Sequence, residues 1–210
     1  SLIWTDTNTH YDHSKYHPKE GDPVQPKGYN ATLMTDQALA FMQESWDTPF
    51  FLALSLNPPH ADFTDAPPEK RALYPEGALP YRPNVRDAED VKVEIGRRNR
   101  SPHYEGYHAH ISAVDDELGR ILAAVGASPK ARDTIVIYSS DHGSMFGSHG
   151  VGSKRQPYEE SIRTPFLVYA PGRVNNGASD ALISAVDVMP TLCGLAGIPV
   201  PKTCAGQDFS

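Results

Sequence analysis

Three short apolar runs constrain this chain more than any other feature. They are Phe50-Phe51-Leu52-Ala53-Leu54-Ser55-Leu56, Thr134-Ile135-Val136-Ile137-Tyr138 and Pro165-Phe166-Leu167-Val168-Tyr169. None alternates cleanly between polar and apolar, which suits strands buried on both faces. Helical patterns separate and follow them. Leu33, Ala38, Phe41 and Met42 recur at near-helical spacing and predict a helix over 32–45. Tyr107, Ile111, Val114, Leu118, Ile121, Leu122 and Val125 predict a long helix over 104–125, with Asp115, Asp116 and Glu117 mostly off its apolar stripe. A third helix is predicted over 187–196, with Asp187 as N-cap, Pro190 tolerated in the first turn and Gly197 just past the end. Strands alternating with helices predict an α/β fold, a mostly parallel sheet sandwiched by helices.

The stretches between these elements are rich in punctuation, with 16 Gly and 19 Pro in 210 residues. Residues 1–31 show no period, and residues 61–103 form a long Pro- and charge-rich segment of weak structure, a kind that often carries function. A length of 210 residues suits one large domain or at most two small ones. The formal net charge of −7 argues against a nucleic-acid partner, which needs a basic surface. Two Cys exclude a disulfide-dense scaffold and a Cys-based zinc cage. No apolar run reaches the roughly 18 residues of a membrane span. The chain begins at Ser1 and stops at Gln207-Asp208-Phe209-Ser210, ends that read as cut.

In an α/β sheet, ligands sit beyond the carboxyl ends of strands. Two such ends stand out, Asn57-Pro58-Pro59-His60 and Ser139-Ser140-Asp141-His142-Gly143. Adjacent side chains on a strand point to opposite faces, so Asp141 and His142 converge on one ion only if the backbone leaves the strand there. Gly143 permits such an exit. An oxygen and a nitrogen donor suit a divalent metal, and an oxygen-rich remainder favours calcium or manganese. An Asp turn cap beside a surface His is the other reading of the same dipeptide. Downstream, Gly147-Ser148-His149-Gly150-Val151-Gly152-Ser153-Lys154-Arg155 has the wrong order for a phosphate-binding P-loop. It still offers backbone N–H groups and one ammonium for a tetrahedral anion; a flexible glycine loop with a solvated Lys is the alternative. Glu159 and Arg163 are spaced to pair on one helical turn.

Taken together, Ser139 through Gly150, then Lys154, then Tyr158-Glu159-Glu160-Ser161-Ile162-Arg163-Thr164-Pro165 resemble the second half of a formylglycine-dependent sulfatase of the alkaline phosphatase superfamily. Thr35-Asp36-Gln37-Ala38, the stretch from Pro49-Phe50-Phe51 to His60, and Ala185 to Leu192 resemble further segments of that family, in its order. The resemblance covers nearly the whole chain from about residue 29. It implies part of an alkaline-phosphatase-like sheet and hydrolysis of a small-molecule or glycan sulfate ester. It implies Asp141 and His142 as two ligands of a divalent metal, usually Ca2+, with Mn2+ or Mg2+ as alternatives. Lys154 would neutralise the sulfate oxygens, and His60 would be the general acid for the departing alcohol. His149, between the Asp-His pair and Lys154, is a further candidate for substrate contact. Export to the periplasm or the cell exterior is expected from the resemblance alone.

The family's nucleophile is a formylglycine made from Cys or Ser in a Cys/Ser-X-Pro-X-Arg motif. Neither Cys193 nor Cys204 is followed by that pattern, and no Ser-X-Pro occurs. The expectation is therefore a partial catalytic domain, residues 1–210, without the nucleophile region and the C-terminal subdomain, inactive by itself and needing the missing remainder of its own chain. Two other functions stay open: a phosphodiesterase or phosphonate monoester hydrolase of the same superfamily, and a non-catalytic metal- or anion-binding module.

Minor features read as structural. His10, His13 and His17 are expected to be solvated or on a substrate rim, with a metal site as the alternative reading, and His103, His108 and His110 are expected to lie on the surface. Arg97, Arg98 and Arg100 are expected on a solvated loop, and Cys193 and Cys204 in the core, with a disulfide between them left open.

Overall fold

A computed structural model describes residues 3–5, 9–11, 15–17, 21–45, 48–85 and 103–210. The basic triplet Arg97, Arg98 and Arg100, together with His13, lies outside the described residues, as do the side chains of His17 and His103. The chain divides into two compact units. The first comprises Ser1–Ala127 with Met145–Ser153, the second Ser128–Ser144 with Lys154–Ser210.

The first unit opens with an antiparallel pair, β1 (Ile3–Thr5) against β2 (Lys15–His17), inside a segment expected to be irregular. Helix α1 (Asn30–Ser45) starts two residues before the expected position. Ala31, Thr35, Ala38 and Met42 are buried along it, a helical repeat that faces α3 (His103–Ala127). Tyr29, Ala31 and Ala113 form the centre of the packing, with Tyr11 and Leu56 against them. The buried face of α3 overlaps the predicted stripe in part: Val114 and Val125 are buried and Tyr107, Leu118 and Ile121 half-buried. Small Ala109 and Ala113 are buried, whereas Ile111 and Leu122 are exposed. Glu117, expected off the stripe, is buried. Its carboxylate accepts hydrogen bonds from Thr32 Oγ1 and Arg120 Nη1, each at 2.6 Å, and Arg120 also pairs with Asp36. A charged group enters this interface because α1 brings a donor to it.

Helix α2 (Pro68–Arg71) lies against α3, tied by the Lys70–Asp116 ion pair, and just beyond it Tyr74 and Ser112 hydroxyls meet at 2.7 Å. Gly106 is where the loop after His60 crosses α3: a Cβ there would sit 1.9 Å from the Phe63 carbonyl oxygen. The first predicted strand, 50–56, carries no strand ladder, and Phe51 is 77% exposed. An apolar run becomes a strand only when it joins a ladder with a neighbour, and among the described residues no ladder forms over 50–56.

In the second unit, β3 (Val136–Ser139) pairs with β4 (Phe166–Tyr169). The register runs from Val136↔Tyr169 to Ser139↔Phe166, so this pair is antiparallel where a parallel sheet was expected. The reason is the intervening turn. Gly143 N–H donates to the Ser161 carbonyl at 2.8 Å, and Ser139 Oγ to the Pro165 carbonyl at 2.9 Å. Helix α4 (Glu159–Ile162) thus delivers the chain to the carboxyl end of β3, and the chain runs back. Glu159 and Arg163 pair as their spacing predicted, at 3.4 Å and exposed.

Helix α5 (Val188–Ala196) ends as expected. Gly197 is left-handed at φ 69°, its N–H reaches the Gly194 carbonyl, and Ile198 N–H reaches that of Cys193, both at 3.0 Å. Its start differs. The Asp187 side chain does not cap α5 but accepts from the backbone N–H groups of Ser184 and Gln207, each at 2.8 Å. Cys193 and Cys204 are both free thiols.

Candidate functional site

Asp141, His142 and Lys154 come together in the second unit, just past the end of β3. Gly143 has no left-handed φ, so its role is not the sharp exit predicted for it. It allows close approach instead: a Cβ there would sit 2.1 Å from the Glu160 carbonyl oxygen. The His142 ring is set at both nitrogens. Nδ1–H donates to the Gly143 carbonyl at 2.8 Å, which leaves Nε2 as an acceptor, and Lys154 Nζ donates to it at 2.9 Å. Asp141 Oδ2 lies 3.3 Å from the same Nε2. Asp141 Oδ1 accepts the His142 backbone N–H at 2.9 Å, and Ser140 Oγ donates to the His142 carbonyl at 3.0 Å.

A fixed acceptor Nε2 next to a carboxylate oxygen is part of a donor set a divalent metal takes, with the second ring nitrogen locked by a carbonyl. The lysine ammonium supplies positive charge at Nε2. The Asp141 side chain is 82% exposed and that of His142 37%, so both remain open to further ligands. These two residues fit a metal but do not complete its coordination.

His60 and His149 belong to the first unit. His60 is exposed, with Nδ1–H donating to the Ala61 carbonyl at 2.8 Å, which presents Nε2 outward. His149 is exposed and left-handed, at φ 56°. Its Nε2 accepts from Asn84 Nδ2 at 3.2 Å and its N–H reaches the Asn84 carbonyl at 3.3 Å. The glycine loop around it does not offer the expected anion cradle. The N–H groups of Gly147, Ser148, Gly150 and Val151 are spent on carbonyls of the loop itself.

A second polar cluster, in the first unit, was not foreseen. His10 and His110, expected to be solvated, are both fully buried. Asp65 accepts from His10 twice, from Nδ1–H at 2.7 Å and from the backbone N–H at 2.6 Å. His110 Nε2–H donates to the Asp62 carbonyl at 3.0 Å and stands 3.5 Å from Asp65, while Nδ1 accepts the Tyr29 hydroxyl at 2.7 Å. Burial pushes the Asp65 carboxyl up, but the hydrogen bonds from His10 and His110 outweigh it and hold it below the usual carboxylate range. Burial first, then the Asp65 charge, raises the Tyr29 phenol well above its ordinary value. One ligand atom each from His10, Asp65 and His110 lies within 4.8 Å of the others, so these residues could hold a metal ion. His108 is half-buried among Tyr74, Tyr104 and Tyr107; burial and then Arg82 lower its pKa against the pull of Glu105.

The helices and the paired strands, with Asp141, His142 and Lys154 grouped just past β3, make this an α/β fold of the alkaline-phosphatase-like class. The family model described as Sulfatase matches residues 3–198, and the chain belongs to that family. It is 31% identical over 216 aligned residues to an ulvan-active sulfatase of Formosa agariphila, covering 99% of this chain and 41% of that protein. It is 33% identical to an endo-4-O-sulfatase of Bacteroides thetaiotaomicron, over 97% of this chain and 40% of that protein. A solved structure from work on glycosaminoglycan metabolism by Bacteroides thetaiotaomicron superposes with a TM-score of 0.79 at 27% identity, over 97% of this chain and 43% of that one. The chain thus spans about two fifths of the length of the curated relatives it matches.

Proposed function

We propose that the longer protein to which these residues belong hydrolyses sulfate esters, and that its substrate is a sulfated glycan. The observation that carries this reading is the Asp141–His142–Lys154 group, in which an ammonium sits 2.9 Å from the locked Nε2 of His142. Membership of the sulfatase family supports the reaction, and the relative named as ulvan-active and the solved structure from work on glycosaminoglycan metabolism support the substrate class.

In this reading Asp141 and His142 are two ligands of a divalent metal, with Ca2+ favoured over Mn2+ or Mg2+ by an oxygen-rich remainder. Bound there, the ion supplies positive charge for the sulfuryl oxygens. Lys154 adds a mobile ammonium to the same oxygens, where charge persists through the transition state. His60, its ring oriented by the Ala61 carbonyl, delivers a proton from Nε2 to the departing alkoxide. His149 contributes a substrate contact from a backbone fixed by Asn84. The formylglycine nucleophile belongs to the part of the longer protein outside these residues.

The test is an assay of the full-length protein on an aryl sulfate and an aryl phosphodiester in parallel. Lys154→Ala is expected to lower kcat on the sulfate by about 100-fold or more, on the scale of losing one oxyanion donor. Preference for the phosphodiester, or an unchanged kcat in Lys154→Ala, overturns the reading.

A further inference from the structure

We infer that His110 is a positioning residue for His60, acting through the carbonyl of Asp62. This rests on the reading of His60 as the general acid.

The segment from His60 to Asp65 is held at nearly every residue. His60 Nδ1–H is aimed by the Ala61 carbonyl at 2.8 Å. The next carbonyl, that of Asp62, receives Nε2–H of the fully buried His110 at 3.0 Å. Asp62 Oδ1 accepts both the backbone N–H and the hydroxyl of Thr64, at 3.0 and 2.8 Å. The Thr64 carbonyl accepts from Arg71 at 2.9 Å, and Phe63 lies on the bare backbone of Gly106. Asp65 closes the segment with its two bonds from His10.

From α3, His110 reaches this segment with a hydrogen bond, and Tyr107 with an edge-on ring contact to Phe63. The orientation of His110 is fixed by the Tyr29 hydroxyl at Nδ1, which dictates that Nε2 carries the proton it gives to Asp62. The connection to chemistry is short. The Ala61 carbonyl that sets the His60 ring belongs to the peptide joining Ala61 to Asp62, and His110 fixes the carbonyl of the adjacent peptide, the one joining Asp62 to Phe63. Releasing that carbonyl lets the Ala61 peptide rotate, and the His60 ring with it. Among the described residues the exposed His60 ring makes no other hydrogen bond, its backbone N–H being held by the Asn57 carbonyl at 3.0 Å, and a misplacement of about 1 Å is enough to cost on the order of 100-fold in rate.

The experiment uses the full-length protein and a series of aryl sulfates whose phenols span a range of leaving-group pKa. A general acid matters most for poor leaving groups, so its loss steepens the dependence of kcat on that pKa. His60→Ala is expected to give the steepest dependence. His110→Phe is expected to lower kcat by about 10- to 100-fold on the poorest leaving group and by less than about 3-fold on the best, with KM unchanged. His110→Gln, whose amide N–H can reach the Asp62 carbonyl, restores most of the loss. Asp65→Asn, which loosens the other end of the segment, steepens the dependence if His110→Phe does not fold. Arg120→Ala, which weakens α1 against α3 elsewhere, lowers Tm but leaves the dependence as in the parent. A dependence in His110→Phe and Asp65→Asn matching Arg120→Ala, while His60→Ala is steep, overturns the positioning role and leaves the function standing. A flat dependence in His60→Ala overturns the acid reading of His60 and this inference with it.

Discussion

Single residues carry most of the chemistry, and two of them invite direct tests. Gly143 is required because the Glu160 carbonyl approaches to where a Cβ would be, 2.1 Å away. Gly143→Ala is expected to destabilise the full-length protein by about 1–3 kcal/mol, the usual cost of overpacking. It should also lower kcat more than a remote substitution of equal Tm loss, because His142 bonds to the carbonyl of this same residue. Asp65 allows a pH prediction. Its carboxyl is held below an unfolded value of about 4, so it adds stability above that pH and loses it as pH falls toward the folded value. Asp65→Asn should therefore lower Tm at pH 7, and the gap to the parent should narrow as calorimetry is repeated from pH 5 downward. The Asp141-His142 pair was legible because its two members are neighbours in the chain, with the His142 ring held by the carbonyl of the next residue. His10 and His110 were not. Burial of His10 depends on Asp65, 55 positions away, and that of His110 on Tyr29, 81 positions away.

At the scale of elements, helices were read more faithfully than strands. A helix satisfies its own backbone, so Ala38 and Met42 announce α1 without help from elsewhere. A strand needs a partner, and the apolar run 50–56 joins no ladder among the described residues, whereas β3 and β4 have each other. Which face of a helix is buried was less legible: on α3 the small residues went inward because α1 packs against them, an outcome set by the neighbour. Met42 is 2% exposed on α1. Met42→Ala is expected to cost about 2–5 kcal/mol in chemical denaturation, as for other buried large-to-small changes. At the end of α5, Gly197→Val should lower Tm as well, since a β-branched residue at φ 69° is strained whatever space surrounds it.

For the whole molecule, metal binding is the property to measure. A ligand that binds only the folded state raises stability by mass action, by about 2.7 kcal/mol at a hundredfold excess over Kd. Calcium is expected to raise the Tm of the full-length protein, a chelator to reverse it, and Asp141→Asn to abolish the rise. A rise that survives in Asp141→Asn but disappears in His110→Phe would assign the ion to the buried cluster instead.

By itself the sequence determined the family, the α/β class, the three long helices and the neighbouring Asp141 and His142 just past β3. Each of these rests on local spacing or on motif order along the chain. Only the tertiary structure decided the antiparallel run of β4 beside β3, the inward face of α3 and the buried clamp of His10, Asp65 and His110. Those features are pairings between distant segments. A buried histidine or a satisfied strand edge is a property of the partner as much as of the residue.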